Sequence, residues 1–358
     1  MKNMKKFLLF ILLLSFSFTG AYSEQKIKNV IFLIGDGMGL NQVYAAMSKS
    51  DNKLNIERCQ SIGFSKTYSA DNYTTDSAAG GTALSSGSKT NNGVIGMNSD
   101  SVAIPSILQI AKQNKLSTGI VVTSSVTHAT PASFLAHQIN RKMEEEIALD
   151  ILASNADVFI GGGKDFFTKR KDGKDLTKEL AQKGYGIYYT LESASNSKSK
   201  KIAGLFAPNG MPSIKEGRGN MLPQSTQLAL NTLSQNKKGF FLMVEGSQID
   251  WGGHANDIDY IVNETLDFDK AVGVAMDFAD KHKGTLVIVT ADHETGGLSI
   301  MNGNKAKKEI QTAFTTTNHS SVPVPIYTYG TGAKHFSRFL ENTDIEKILI
   351  ELYKFRQK

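Results

Sequence analysis

Cysteine is almost absent from this sequence: Cys59 stands alone among 358 residues. No intrachain disulfide can brace the chain, so its stability must come from core burial or from bound metal. Proline is scarce too, with 7 residues, and no Pro- or Gly-rich linker splits the sequence in two. Internal repeats are missing. No block of Lys and Arg interleaved with aromatics occurs, which removes the usual footprint of nucleic-acid binding. The apolar stretch at residues 7–18 is interrupted by Ser15 and Ser17 and falls short of the roughly 18 or more residues that span a bilayer.

That stretch follows Lys2, Lys5 and Lys6 and precedes the small-x-small pattern Ala21-Tyr22-Ser23. This is the layout of a secretory signal peptide over residues 1–23, with export to the periplasm or the extracellular space. No cysteine follows to accept a lipid, so the mature chain is expected to carry no membrane anchor. Removing the segment lowers the formal charge from +6 to +3. So mild a balance nominates no polyanionic partner, and residues 198–201 read as a solvated loop. Residues 24–358 are enough for one large core and a single domain.

Short apolar, β-branched runs occur at residues 30–34, 118–122, 158–160, 240–244, 286–289 and 326–329. Their continuous apolarity suits strands buried on both faces. Helical periodicity marks residues 107–111, 144–152, 226–233 and 266–278. The alternation predicts an α/β three-layer sandwich with a central, mostly parallel sheet. Residues 157–222 read as a surface excursion and residues 302–321 as polar loop.

The strands repeatedly finish in acids or histidines, where α/β enzymes assemble their sites. The first runs into Gly35-Asp36-Gly37-Met38-Gly39, which reads either as an ordinary Asp-Gly turn or as a carboxylate placed for an ion. Residues 240–244 lead to Glu245, then Asp250 and His254 four positions apart, so that one helical turn aims both at one point. Oxygen plus imidazole suits zinc; a cap and a surface histidine are the other reading. Residues 286–289 lead to Asp292-His293-Glu294-Thr295-Gly296-Gly297, a second acid–imidazole pair. Ser77, in Thr75-Asp76-Ser77-Ala78, lies at a helix N-terminus, as a plain cap or as a nucleophile beside a cation.

Together with His128-Ala129-Thr130-Pro131-Ala132, these motifs resemble, in order, the alkaline phosphatase family over residues 36–319. The resemblance implies a single catalytic domain that hydrolyses phosphate monoesters through a phosphoserine on Ser77. It implies one zinc on Asp250, His254 and His319, and a second on Asp36, Asp292 and His293. A magnesium would sit on Asp36, Thr130 and Glu245. His319 is preferred to His335 because it precedes the strand at residues 326–329. Arg141, four residues after His137, resembles the family's phosphate-binding arginine, while His137 reads as structural and His282 as solvated.

Two positions depart from the family pattern. His128 stands where some members carry an aspartate near the magnesium, and Trp251 where relatives can carry a lysine or histidine that reaches phosphate through water. Loss of that cation is expected to weaken the hold on inorganic phosphate. The stretch from His293 to His319 is short for the insertion that covers the dimer interface in larger relatives, so a monomer or a homodimer is expected. The competing expectations are a metal-dependent phosphodiesterase of the same superfamily and an exported, non-catalytic zinc- or phosphate-binding protein.

Overall fold

The computed structural model describes residues 26–355; the expected signal segment lies outside the described residues. The strands of its central sheet are β1 (Asn29–Gly35), β2 (Ser61–Lys66), β3 (Ser117–Ser125), β4 (Val158–Gly162), β5 (Gly186–Tyr188), β6 (Ile202–Leu205), β7 (Phe240–Gly246) and β8 (Thr285–Thr290). Four short strands stand outside the sheet and pair among themselves: β9 (Glu294–Thr295) with β12 (His319–Ser320), and β10 (Ser299–Asn304) with β11 (Glu309–Ala313). The chain then re-enters the sheet through β13 (Val324–Gly330) and β14 (Phe339–Glu341). The order across the ten strands is β14-β2-β13-β8-β1-β7-β3-β4-β6-β5. All pairings are parallel except those of β13 with β2 and β8.

Helices cover both faces, which is why β1 is apolar at consecutive positions rather than alternate ones. Val30, Phe32 and Ile34 enter one core with Leu84, Leu108, Phe134 and Ile147; Ile31 and Leu33 enter the other with Val43, Leu230 and Val272. Each large side chain so buried contributes about 1.5–3 kcal/mol. The expected three-layer sandwich with a mostly parallel sheet is therefore the observed one.

Two expectations change. Residues 157–222 are no excursion, because β4, β6 and β5 extend the sheet in parallel to its edge. The sequences Ile-Ala-Gly-Leu and Gly-Ile-Tyr are too short and too glycine-rich to announce themselves as strands. Residues 302–321 are no simple loop: β10 and β11 form an antiparallel ribbon. That ribbon is mostly exposed, so it lacks the apolar stripe by which buried strands are read.

The register places the functional side chains. Ile34 of β1 lies beside Glu245 of β7 and Thr290 of β8, so Asp36, Glu245, Asp292 and His293 emerge together at one sheet edge. Gly37 turns the chain there with φ +68°. A Cβ on it would stand 2.6 Å from Thr295 Oγ1, so glycine alone admits this approach.

Candidate metal centre

Asp250 and His254 lie on the helix Gln248–His254, and the four-residue spacing turns both to one side. His254 Nε2 stands 3.4 Å from Asp250 Oδ2. His319, on β12, brings its Nε2 to 3.2 Å from His254 Nε2 and 3.5 Å from Asp250 Oδ1. The far nitrogens face backbone carbonyls: His254 Nδ1 that of Thr317 at 2.6 Å, His319 Nδ1 that of Thr75 at 2.8 Å. A carbonyl only accepts, so each Nδ1 carries a proton, and each ring can turn a lone pair inward from Nε2 once that nitrogen gives up its proton to a cation. The two Nε2 atoms stand 3.2 Å apart, and either a proton shared with Asp250 or a cation between them satisfies that approach. His335 sits in the turn Ala333–Phe336 and belongs to none of the ligand groups described here.

The second group is fully buried. His293 Nε2 approaches Asp36 Oδ1 at 3.4 Å, Asp292 Oδ2 at 3.3 Å and Ser77 Oγ at 3.2 Å. Thr295, which the sequence reading passed over, bridges the two groups. Its hydroxyl donates to Asp250 Oδ1 at 2.5 Å and lies 3.3 Å from His293 Nδ1. A third group unites Asp36, His128 and Glu245, and Thr130 is the second residue of the adjoining helix Ala129–Leu135.

Both oxygens of Asp36, Asp292 Oδ2, Glu245 Oε1 and Thr130 Oγ1 are buried without a hydrogen-bond partner. A buried polar atom left so costs about 1–3 kcal/mol, and more when charged. Concentrated in one place, these atoms describe cavities shaped for cations. With no cation there, burial followed by the Asp292 charge holds the Asp36 pKa well above the carboxylate range. Burial likewise pushes Glu245 up to about 8 and Asp292 up to about 7. His293 is pushed well below its ordinary value by burial and then by His319. His254 is raised to about 9 by its bond to Asp250.

Ser77 is the first residue of the helix Ser77–Ser86, and its cap is Asp76, whose side chain accepts from the Ala79 amide. The hydroxyl of Ser77 is thus free of capping and faces His293. Arg141 donates from Nη1 to Asp76 Oδ2 at 2.9 Å and reaches His128 Nε2 at 3.5 Å through Nη2. Burial lowers the His128 pKa to about 4, so that ring is neutral beside the guanidinium. Trp251 stands edge-on to His128, ring centroids 6.4 Å apart. The His137 ring donates from Nδ1 to Gly96 O and meets Gln109 Nε2 through Nε2, and its backbone amide donates to Asp150 Oδ2, a structural role; His282 is exposed.

The arrangement sets a hydroxyl, a guanidinium fork and groups of acids and imidazoles around one point at the carboxyl edge of a mostly parallel sheet. Fold and site define an α/β enzyme built to handle an anionic substrate with cation-binding side chains. The alkaline phosphatase family model matches residues 27–309. Alkaline phosphatase 4 of Bacillus subtilis (strain 168) is 36% identical, over 92% of this chain and 90% of that protein. The alkaline phosphatase of the Antarctic bacterium TAB5 superposes with a TM-score of 0.89 at 43% identity, over 94% of this chain and 100% of that one. A variant of the TAB5 enzyme with an aspartate in place of a histidine has Mg bound in its M3 site. The chain belongs to the alkaline phosphatase family, and its activity is that of a phosphomonoesterase.

Proposed function

We propose that this phosphomonoesterase works through a phosphoserine on Ser77, with two zinc ions and one magnesium ion as cofactors. The supporting observation is the spacing of the donors. Tetrahedral zinc with bonds of about 2.0–2.1 Å holds its ligands about 3.3–3.4 Å apart. The spacings around His254 and His293 run from 3.2 to 3.5 Å. Asp250, His254 and His319 would hold one zinc; Asp36, Asp292 and His293 would hold the other, beside Ser77. Asp36, Thr130 and Glu245 form an all-oxygen set suited to magnesium, with neutral His128 outside it.

Bound there, the cations would supply positive charge to the attacking and leaving oxygens and favour the ionised serine hydroxyl. Ser77 Oγ attacks phosphorus in line, an Oγ–P bond forming as the P–O bond to the alcohol breaks, and the departing oxygen takes up from water the proton that Ser77 gave up. Arg141 binds two phosphoryl oxygens as a fork, its plane set by Asp76. Water then attacks the phosphoserine, phosphate departs and Ser77 regains its proton. Because these contacts address the phosphoryl group, the substrates are small phosphomonoesters of varied alcohol, and the product is inorganic phosphate.

Residues 24–358 form the one catalytic domain, exported by residues 1–23 as a monomer or homodimer. Among the described residues no helix is long and apolar enough to cross a membrane. The test is hydrolysis of a chromogenic phosphomonoester by wild type and Ser77→Ala, with and without chelator, alongside metal analysis. Turnover that survives chelation or the loss of Ser77 overturns the proposal.

A further inference from the structure

The two zinc sites of that reading are supported unequally by the fold. Asp36, Asp292 and His293 leave the ends of β1 and β8, strands paired to each other along their length and buried on both faces. His319 has no such anchor. It lies on a strand of two residues, β12, whose ladder with β9 pairs His319 with Thr295 and Ser320 with Glu294. Chain on either side of it is tied by Gly296 N to Asn318 O at 2.9 Å and by Thr74 Oγ1 to Ser321 Oγ at 2.7 Å.

Glu294 reinforces this weak ladder. Its side chain is 4% exposed, and its two oxygens accept four bonds from three parts of the chain. Gln42 Nε2 donates to Oε1 at 2.7 Å and the Leu298 amide to Oε1 at 3.1 Å. The Gly297 amide donates to Oε2 at 3.1 Å, and the Ser320 hydroxyl donates to the same oxygen. Gln42 belongs to the helix Leu40–Lys49, which follows the Asp36 turn. A Cβ at Gly39, in that turn, would collide with Glu294 Cγ, so the backbone has made room for this carboxylate. The metal reading gives Glu294 no role, because the side chain turns away from the cation cavities towards Ser320.

We propose that Glu294 is a positioning residue that clamps Ser320, and thereby His319, against Asp250 and His254, and so governs how firmly the first zinc site, not the second, retains its ion. This rests on the zinc assignment made above. All four partners are donors, so the amide of Glu294→Gln, equal in volume, must turn its NH2 group against two of them. Loss of a group that orients a ligand lowers metal affinity by about 10–100-fold. The loss should fall on the site whose histidine is held by two residues of strand.

The experiment follows zinc release from the holoenzyme to a chelating dye for wild type, Glu294→Gln and Ser320→Ala, with His319→Ala marking the phase that belongs to the first site. The expected result is two release phases in wild type and, in Glu294→Gln, acceleration of the His319-dependent phase alone by about 10–100-fold. Turnover of Glu294→Gln should return on adding excess Zn2+, which a merely misfolded core would not allow. Acceleration of both phases together, or of neither, overturns the inference. Should Glu294→Gln fail to fold, Ser320→Ala decides: faster release in the same phase supports the inference, and wild-type release overturns it. A wild type that retains no zinc overturns the ion assignment and this inference with it.

Discussion

Removing the ions should reverse the sign of the pH dependence of stability. In the metal-free protein Glu245 titrates at about 8 against an ordinary 4.5, and Asp292 at about 7 against 3.8, burial being the main cause of both. A group whose folded pKa is raised binds more protons folded than unfolded, so stability falls as pH climbs from the unfolded value through the folded one. His254, raised to about 9, acts in the same direction. His128, His293 and His319 are lowered and oppose this below pH ~6.5, their unfolded value, fading over about the next pH unit. Between pH 6.5 and 8, Glu245 and Asp292 together account for about 2 kcal/mol, or about 3 °C in midpoint. The holoenzyme should do the opposite, because protons compete with metal for the same oxygens. The assay is thermal unfolding of chelated and metal-loaded protein across that window. A midpoint of the chelated protein that is flat or rises with pH would refute the claim that these carboxylates line cation sites.

Three further outcomes follow from single side chains. Arg141→Ala should raise both KM and the inhibition constant of phosphate by about 10–100-fold, the worth of charge-assisted hydrogen bonds, and Arg141→Lys should restore little, since an ammonium lacks the fork; steady-state kinetics with phosphate as inhibitor decides. Thr295→Val, isosteric but without the hydroxyl that joins Asp250 to His293, should weaken zinc binding by about 10–100-fold, and unchanged affinity in equilibrium dialysis would contradict the bridge. Trp251→Lys should make phosphate a stronger inhibitor; equal inhibition in the two proteins removes Trp251 from phosphate release.

Much of the sheet was legible because β1, β3, β7 and β8 are buried on both faces and each carries a continuous apolar run, short in β3. Asp36, Glu245 and Asp292 stood out for the same reason, as acids closing such runs. Asp250 and His254 were legible by their helical spacing. His319 was not legible from local pattern, since only a two-residue ladder and contacts to distant chain place it; resemblance to the family singled it out. Thr295 went unseen because a threonine before Gly296-Gly297 looks like turn chemistry, and its partner Asp250 lies 45 positions away. Asp76 was hidden by its neighbour: the sequence offered Ser77 as the cap, and the structure gives capping to Asp76, which leaves the serine hydroxyl free.

Gly37 and Asp292 meet at 3.3 Å across 255 positions of chain, and His319 closes the other group against Asp250 and His254. An ion seated among such residues is a cross-link, fastening the first strand to the last third of the sequence. A covalent link spanning about 100 residues restricts the unfolded chain by about 5 kcal/mol in chain-entropy models. With Cys59 alone, this chain has no covalent bond to do so. That fastening would stay open until the segment bearing Asp292 and His293 has been made and folded, and what sets it afterwards would be free metal rather than oxidation: a chelator should loosen this protein as a thiol reductant loosens one held by disulfides.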